Sequence, residues 1–288
     1  MVGVVNAVPD GKADPMGYKS ILVNLDIDGP VVPVVKAAAD LAGRNGARLI
    51  GFCAADAPIP MAGPESSALA AETWMQLRED IQSRFKELRG KFEALVAGTV
   101  EAGWREALDN PTRALAETSR AADLIVTGAV KGAGTGDAYR RVDPGSIVLQ
   151  AGRPLLVVAR DAEHVPAKNV VVAWKDTREA RRAVADAIPL LKSADKVTVV
   201  AVVPEVDQWV RASLADVVAF LGTHRIKATP ELIEGTDEHL TLFRSLDNSG
   251  ADLIVSGAYG HSRLREWAFG GVTRSLLDET GLNRFMSS

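Results

Sequence analysis

Ala122-Asp123-Leu124-Ile125-Val126-Thr127-Gly128-Ala129 returns almost letter for letter as Ala251-Asp252-Leu253-Ile254-Val255-Ser256-Gly257-Ala258. Each copy is a short continuous apolar run that ends at a glycine, the pattern of a strand buried on both faces of a parallel sheet. A second pair matches it. Ile21-Leu22-Val23-Asn24-Leu25-Asp26 opens one half, and Val170-Val171-Val172-Ala173-Trp174-Lys175 opens the other. An Ala-rich amphipathic segment follows each opening strand, over 32–42 and 178–191, and then another apolar run, over 48–53 and 196–203. Strand, helix and strand in steps of this length predict a parallel α/β sheet. A chain of 288 residues holds two such domains, each large enough for its own core.

The expected boundaries follow. Residues 1–16, with Pro9, Gly11 and Pro15 and few large apolar groups, read as a loose leader, and Met16 is an alternative start. The leader lacks the basic, apolar, small-residue order of a secretion signal. Residues 17–160 form the first domain, 161–168 a polar linker and 169–288 the second domain. So short a linker predicts a fixed arrangement of the two. The first half is longer by about twenty residues, assigned to 66–97, where Trp74, Leu77, Ile81, Phe85, Leu88, Phe92 and Leu95 recur at spacings of three and four. That stripe predicts one long helix packed on its own sheet or on the other half, with a partner-binding helix as the alternative.

The net charge of −4, without a basic cluster, disfavours a nucleic-acid surface. No apolar run approaches the length of a membrane span. Cys53 is the only cysteine and sits in an apolar strand, so no disulfide can form within the chain and the cytoplasm is the expected compartment. His164, His224, His239 and His261 are scattered without ligand spacing, so no metal site built from side chains is expected.

The chemistry is expected after the second copy of the repeat. Gly257, Gly260 and Gly270-Gly271 join a strand to a helix opening near Thr273. Bare backbone N–H groups and a positive helix end there suit an anion, most often a nucleotide phosphate. Glycine lets such a ligand approach the main chain.

These residues resemble the universal stress protein family over both halves. Its nucleotide-binding members carry Gly-x2-Gly-x9-Gly followed by Ser or Thr, and Gly257, Gly260 and Gly270 reproduce that spacing. Gly271 stands where the hydroxyl residue belongs, with Thr273 the nearest hydroxyl. The resemblance implies two Rossmann-like domains of the adenine nucleotide α-hydrolase type, each a five-stranded parallel sheet of order 3-2-1-4-5 flanked by helices. It implies pairing through the last strands, near 154–159 and 282–286, as an intramolecular pseudo-dimer, with a homodimer of chains also open. It further implies bound ATP or another adenine nucleotide, with or without Mg²⁺, over the carboxyl ends of the strands.

In the second half the resemblance places Gly257 and Gly260 beside the ribose and phosphates. Gly270, Gly271 and Thr273 would receive the outer phosphates, and the Val202 main chain would meet the adenine. Lys175 falls where the family has a ribose-holding aspartate, with Asp176 next to it; a lysine cannot accept a bond from a ribose hydroxyl. Arg263 and Arg265 are candidate phosphate contacts. The first site reads as degenerate. It keeps Asp26, Cys53, Gly128 and a distant Gly145-Ser146, but Lys131 replaces the second glycine and Asp143 brings a carboxylate to the phosphate end.

The expected function is therefore a regulatory, stress-related adenine-nucleotide-binding protein. A scaffold that binds no nucleotide, favoured by Lys131 and Lys175, and a slow ATPase on the same fold are the alternatives. A P-loop NTPase is excluded because no Gly-x4-Gly-Lys-Ser/Thr element exists.

Overall fold

The computed structural model describes residues 17–58, 67–129, 137–259 and 271–288. The first half runs β1 (Ser20–Asn24), α1 (Val32–Asn45), β2 (Arg48–Ala54), α2 (Ser67–Val96), β3 (Ala102–Ala107), α3 (Pro111–Thr118), β4 (Leu124–Gly128), α4 (Pro144–Gln150) and β5 (Leu155–Val158). The second runs β6 (Asn169–Ala173), α5 (Arg178–Asp186), α6 (Ile188–Leu191), β7 (Lys196–Val203), α7 (Gln208–Thr223), β8 (Ala228–Glu234), α8 (Glu238–Ser249), β9 (Leu253–Gly257), α9 (Gly271–Asp278) and β10 (Asn283–Ser287).

All ten strands form one sheet in the order β3-β2-β1-β4-β5-β10-β9-β6-β7-β8. Within each half the pairing is parallel and the order is the expected 3-2-1-4-5. The halves meet where β5 and β10 pair antiparallel, with Phe285 opposite Leu156. Strand alternation then sorts the side chains into two cores, one on each face, and both run through both halves. Ile21, Val23, Val170 and Val172 face α1, α2, α5 and α7. Leu22, Val171, Ile254 and Met286 face α3, α4, α8 and α9.

The repeated aspartate has a structural task. Asp123 accepts the N–H groups of Lys19 and Ser20 at 2.8 and 3.0 Å, and Asp252 accepts those of Lys168 and Asn169. Each thus ties the start of its half's central strand to the strand beside it. Residues 161–168 do not behave as a polar tether. Val165 and Ala167 are fully buried, Arg44 donates to the Val165 carbonyl at 2.7 Å, and Lys36 pairs with Glu163. The connection is packed on α1, which fixes the halves as the sheet pairing also does.

Most of the extra length of the first half is α2, of 30 residues against 16 in α7. Ile81, Phe85, Leu88 and Phe92 are buried against its own sheet and α1, as the stripe predicts, while Leu77 is exposed. No helix among the described residues is long and apolar enough to cross a membrane.

Candidate functional site

The switch point of each half lies between its first and fourth strands, where crossovers leave on opposite faces and a crevice opens. In the first half that crevice is a cavity of about 370 Å³ lined by Asp26, Pro33, Val34, Gly128, Arg141 and Arg160, among others. Asp26 is half-buried, and its carboxylate accepts the Asn24 amide at 3.0 Å and the Val142 N–H at 3.2 Å. Burial holds its pKa above the usual carboxylate range, against the pull of those two bonds and Arg141. Its neighbour Asp28 grips Arg140 with both oxygens, at 2.6 and 3.0 Å. The segment before α4 is thereby drawn down onto the end of β1. Cys53 is buried, and burial pushes its thiol well up, so it stays protonated.

The start of α4 carries its own carboxylate. Asp143 is the N-cap of α4 and accepts both the N–H and the hydroxyl of Ser146, at 3.0 and 2.5 Å. A carboxylate on the positive helix end repels a phosphate from that position. Gly145 also has another use. A Cβ there would stand 2.6 Å from the Tyr259 hydroxyl, so the bare glycine admits a side chain arriving from the second half. Asp143→Ala is expected to cost about 1 kcal/mol of stability in urea unfolding, the worth of a typical cap.

The second half is built more tightly. Its β6–α5 connection, Trp174–Thr177, is shorter than the matching Leu25–Val31, so α5 starts close against β9. A Cβ on Gly257 would lie 2.5 Å from the Ala180 nitrogen and 2.7 Å from the Glu179 carbonyl carbon. In the first half the same position, Gly128, has nothing nearer than Val34 at 3.9 Å. The open side of Gly257 is therefore taken by α5 rather than left for a ribose.

Hydrogen bonds fix the alignment of the halves. Leu25 N–H donates to Phe52 O as Trp174 N–H does to Val200 O, so Lys175 does stand at the place of Asp26. It is not a free strand-end charge: its ammonium pairs at 2.8 Å with Glu238 in the first turn of α8. Asp176 turns to Arg181, at 2.6 and 3.0 Å. By the same register Val202 matches Ala54, so Cys53 and Val202 are not equivalent positions. Val203 O is bonded to Gly235 N–H on the β8 side, so alternation aims the Val202 N–H and C=O past the end of β6. Thr273 is buried and its hydroxyl accepts the Tyr259 N–H at 3.3 Å. It braces the end of β9 instead of facing a ligand. Gly271 opens α9, while Gly260, Gly270, Arg263 and Arg265 lie outside the described residues.

Several partners were not legible beforehand. Glu238, Arg140 and Tyr259 come from distant segments, and only the closing of the sheet brings them to the strand ends. Asp143 was visible as a charge. Its spacing of three before a serine, after Val142 and before Pro144, was also a readable cap signal.

The chain matches a universal stress protein from Archaeoglobus fulgidus DSM 4304 with a TM-score of 0.70 at 14% identity, over 95% of this chain and 97% of that one. It matches a functionally unknown protein from Pseudomonas aeruginosa PAO1 with a TM-score of 0.59 at 16% identity, over 94% and 93%. A Pseudomonas aeruginosa UCBPP-PA14 protein assigned to the universal stress proteins gives 0.58 at 16% identity, over 94% of each chain. No protein-family model and no curated protein sequence matches the chain. The fold of this chain is that of the tandem universal stress proteins.

Proposed function

We propose that the chain binds one adenine nucleotide, ATP by preference, with its phosphates at the second-half connection between Gly257 and Thr273, and that it serves a regulatory role in stress. The Asp143 carboxylate seated on the start of α4 carries this reading. It closes the first half's phosphate position and leaves the connection with the full glycine spacing as the remaining one. Val202 supplies main chain on the adenine side, and Lys175 with Glu238 replaces the ribose-holding carboxylate by an ion pair at the crevice mouth. The domains act as 17–160 and 169–288, the first lending rigidity and the second the ligand.

A second reading rests on the cavity beside Asp26 and Gly128, whose volume suits a small ligand. Calorimetry with MgATP separates the two. The second-half reading expects Gly260→Val to abolish binding and Gly128→Val, which fills the first cavity, to leave it unchanged. The reverse result moves the nucleotide to the first half. Protein that takes up no adenylate in either case is a scaffold, and steady turnover of ATP makes it a slow ATPase.

A further inference from the structure

On the opposite face of the sheet from the Lys175–Glu238 pair lies a groove of about 630 Å³ between α5 and α7. Trp174 points into this face while Lys175, its neighbour, points to the other, as strand alternation requires. One stripe of α7 lines the groove: Trp209, Ala212, Ser213, Asp216, Val217 and Phe220, at helical spacings. Trp174 and α5, through Val184 and Ala185, form the other wall. In the first half α2 is buried against α1 through Ile81, Phe85 and Leu88. In the second the shorter α7 and the small residues Ala185, Ala212 and Ser213 leave the space open.

Its chemistry is specific. Trp209 is 70% exposed, unusual for so large an apolar side chain, and Phe220 is exposed as well. The Arg181 charge is neutralised by Asp176 at 2.6 Å. Asp216 has no bonded or ion-paired partner among the described residues, so one uncompensated carboxylate faces an aromatic-walled groove. Indole faces and a carboxylate together attract a flat cation. We infer that this groove is a second ligand site, distinct from the nucleotide crevice, for a planar aromatic or heteroaromatic cation.

Proflavine, a planar cation, serves as the probe, read by its fluorescence anisotropy against the whole chain, and 9-anthracenecarboxylate is the anion of similar shape. Expected are saturable proflavine binding below about 1 mM and much weaker binding of the anion. Trp209→Ala should weaken proflavine about tenfold or more, with an unchanged melting temperature because the side chain is exposed. Asp216→Asn should remove the preference for the cation, and Ala212→Trp should block the groove. The inference is overturned by absent saturation, by equal binding of the anion, or by an unaffected Trp209→Ala variant. Displacement of proflavine by MgATP would assign the groove to the nucleotide site. Self-association that Trp209→Ala abolishes would assign it to a second copy of the chain.

Discussion

Replacing Gly257 by alanine is expected to destabilise the protein by about 3 kcal/mol, at the upper end of the cost of overpacking. The new methyl would meet the backbone of α5 at 2.5–2.9 Å, and backbone cannot rotate aside as a side-chain tip can. Either α5 moves away from β9 or the strand end bends, and both options open a packed core around Ala180, Ala183 and Val255. Gly128→Ala is the internal control, because the same repeat position in the first half has only an ordinary contact at 3.9 Å. That substitution should fall within about 1 kcal/mol of wild type, with the sign favouring alanine through the unfolded chain. Urea unfolding of the two variants checks the pair. Equal stabilities would mean that α5 does not sit on Gly257.

Arg284→Met is expected to raise stability by about 1–2 kcal/mol, since removing a poorly satisfied buried charge is often favourable. Arg284 is fully buried in β10, and among the described residues only its Nη1 has a partner, the Leu276 carbonyl at 3.0 Å. The sheet itself shows that an apolar side chain suits the place: Arg284 pairs with Ile254 as Leu155 pairs with Ile125. Burial pulls the guanidinium pKa well below its usual range, to about 10, with Glu279 and Asp278 opposing the shift. A base with a lowered folded pKa gives its full stability above the unfolded value and loses it as pH falls through the folded one. The wild type therefore carries the penalty at neutral pH and recovers from about pH 10 upward. The advantage of the methionine variant should hold up to about pH 10 and shrink as the pH is raised further in the same unfolding assay. A variant less stable than wild type at pH 7 would show that the guanidinium holds α9 more firmly than its burial costs.

The tandem architecture was legible because it is written locally and twice. The runs around Leu124 and Leu253 announce buried strands, and their spacing from Ile21 and Val170 gives the order of elements. What the repeat could not reveal is how its two copies diverge in space. Asp123 and Asp252 looked like part of a strand motif, yet their work is to clamp strand starts far away in sequence. Gly257 and Gly128 looked alike, but loop lengths before α5 and α1 make one a packing requirement and the other a cavity wall. Gly145 read as a relic of a phosphate loop, and only the antiparallel joining of β5 to β10 brings Tyr259 onto it. The Lys175–Glu238 pair and the groove under Trp209 likewise depend on which helices end up adjacent. Periodicity carries no record of that.

We propose that one nucleotide is held, in the second half. Equilibrium dialysis of the whole chain against labelled ATP with Mg²⁺ tests it most directly, as a stoichiometry for the wild type and for Gly260→Val. One ATP per chain is expected in the wild type and none in the variant. Two ATP per chain, or one that survives Gly260→Val, would contradict it.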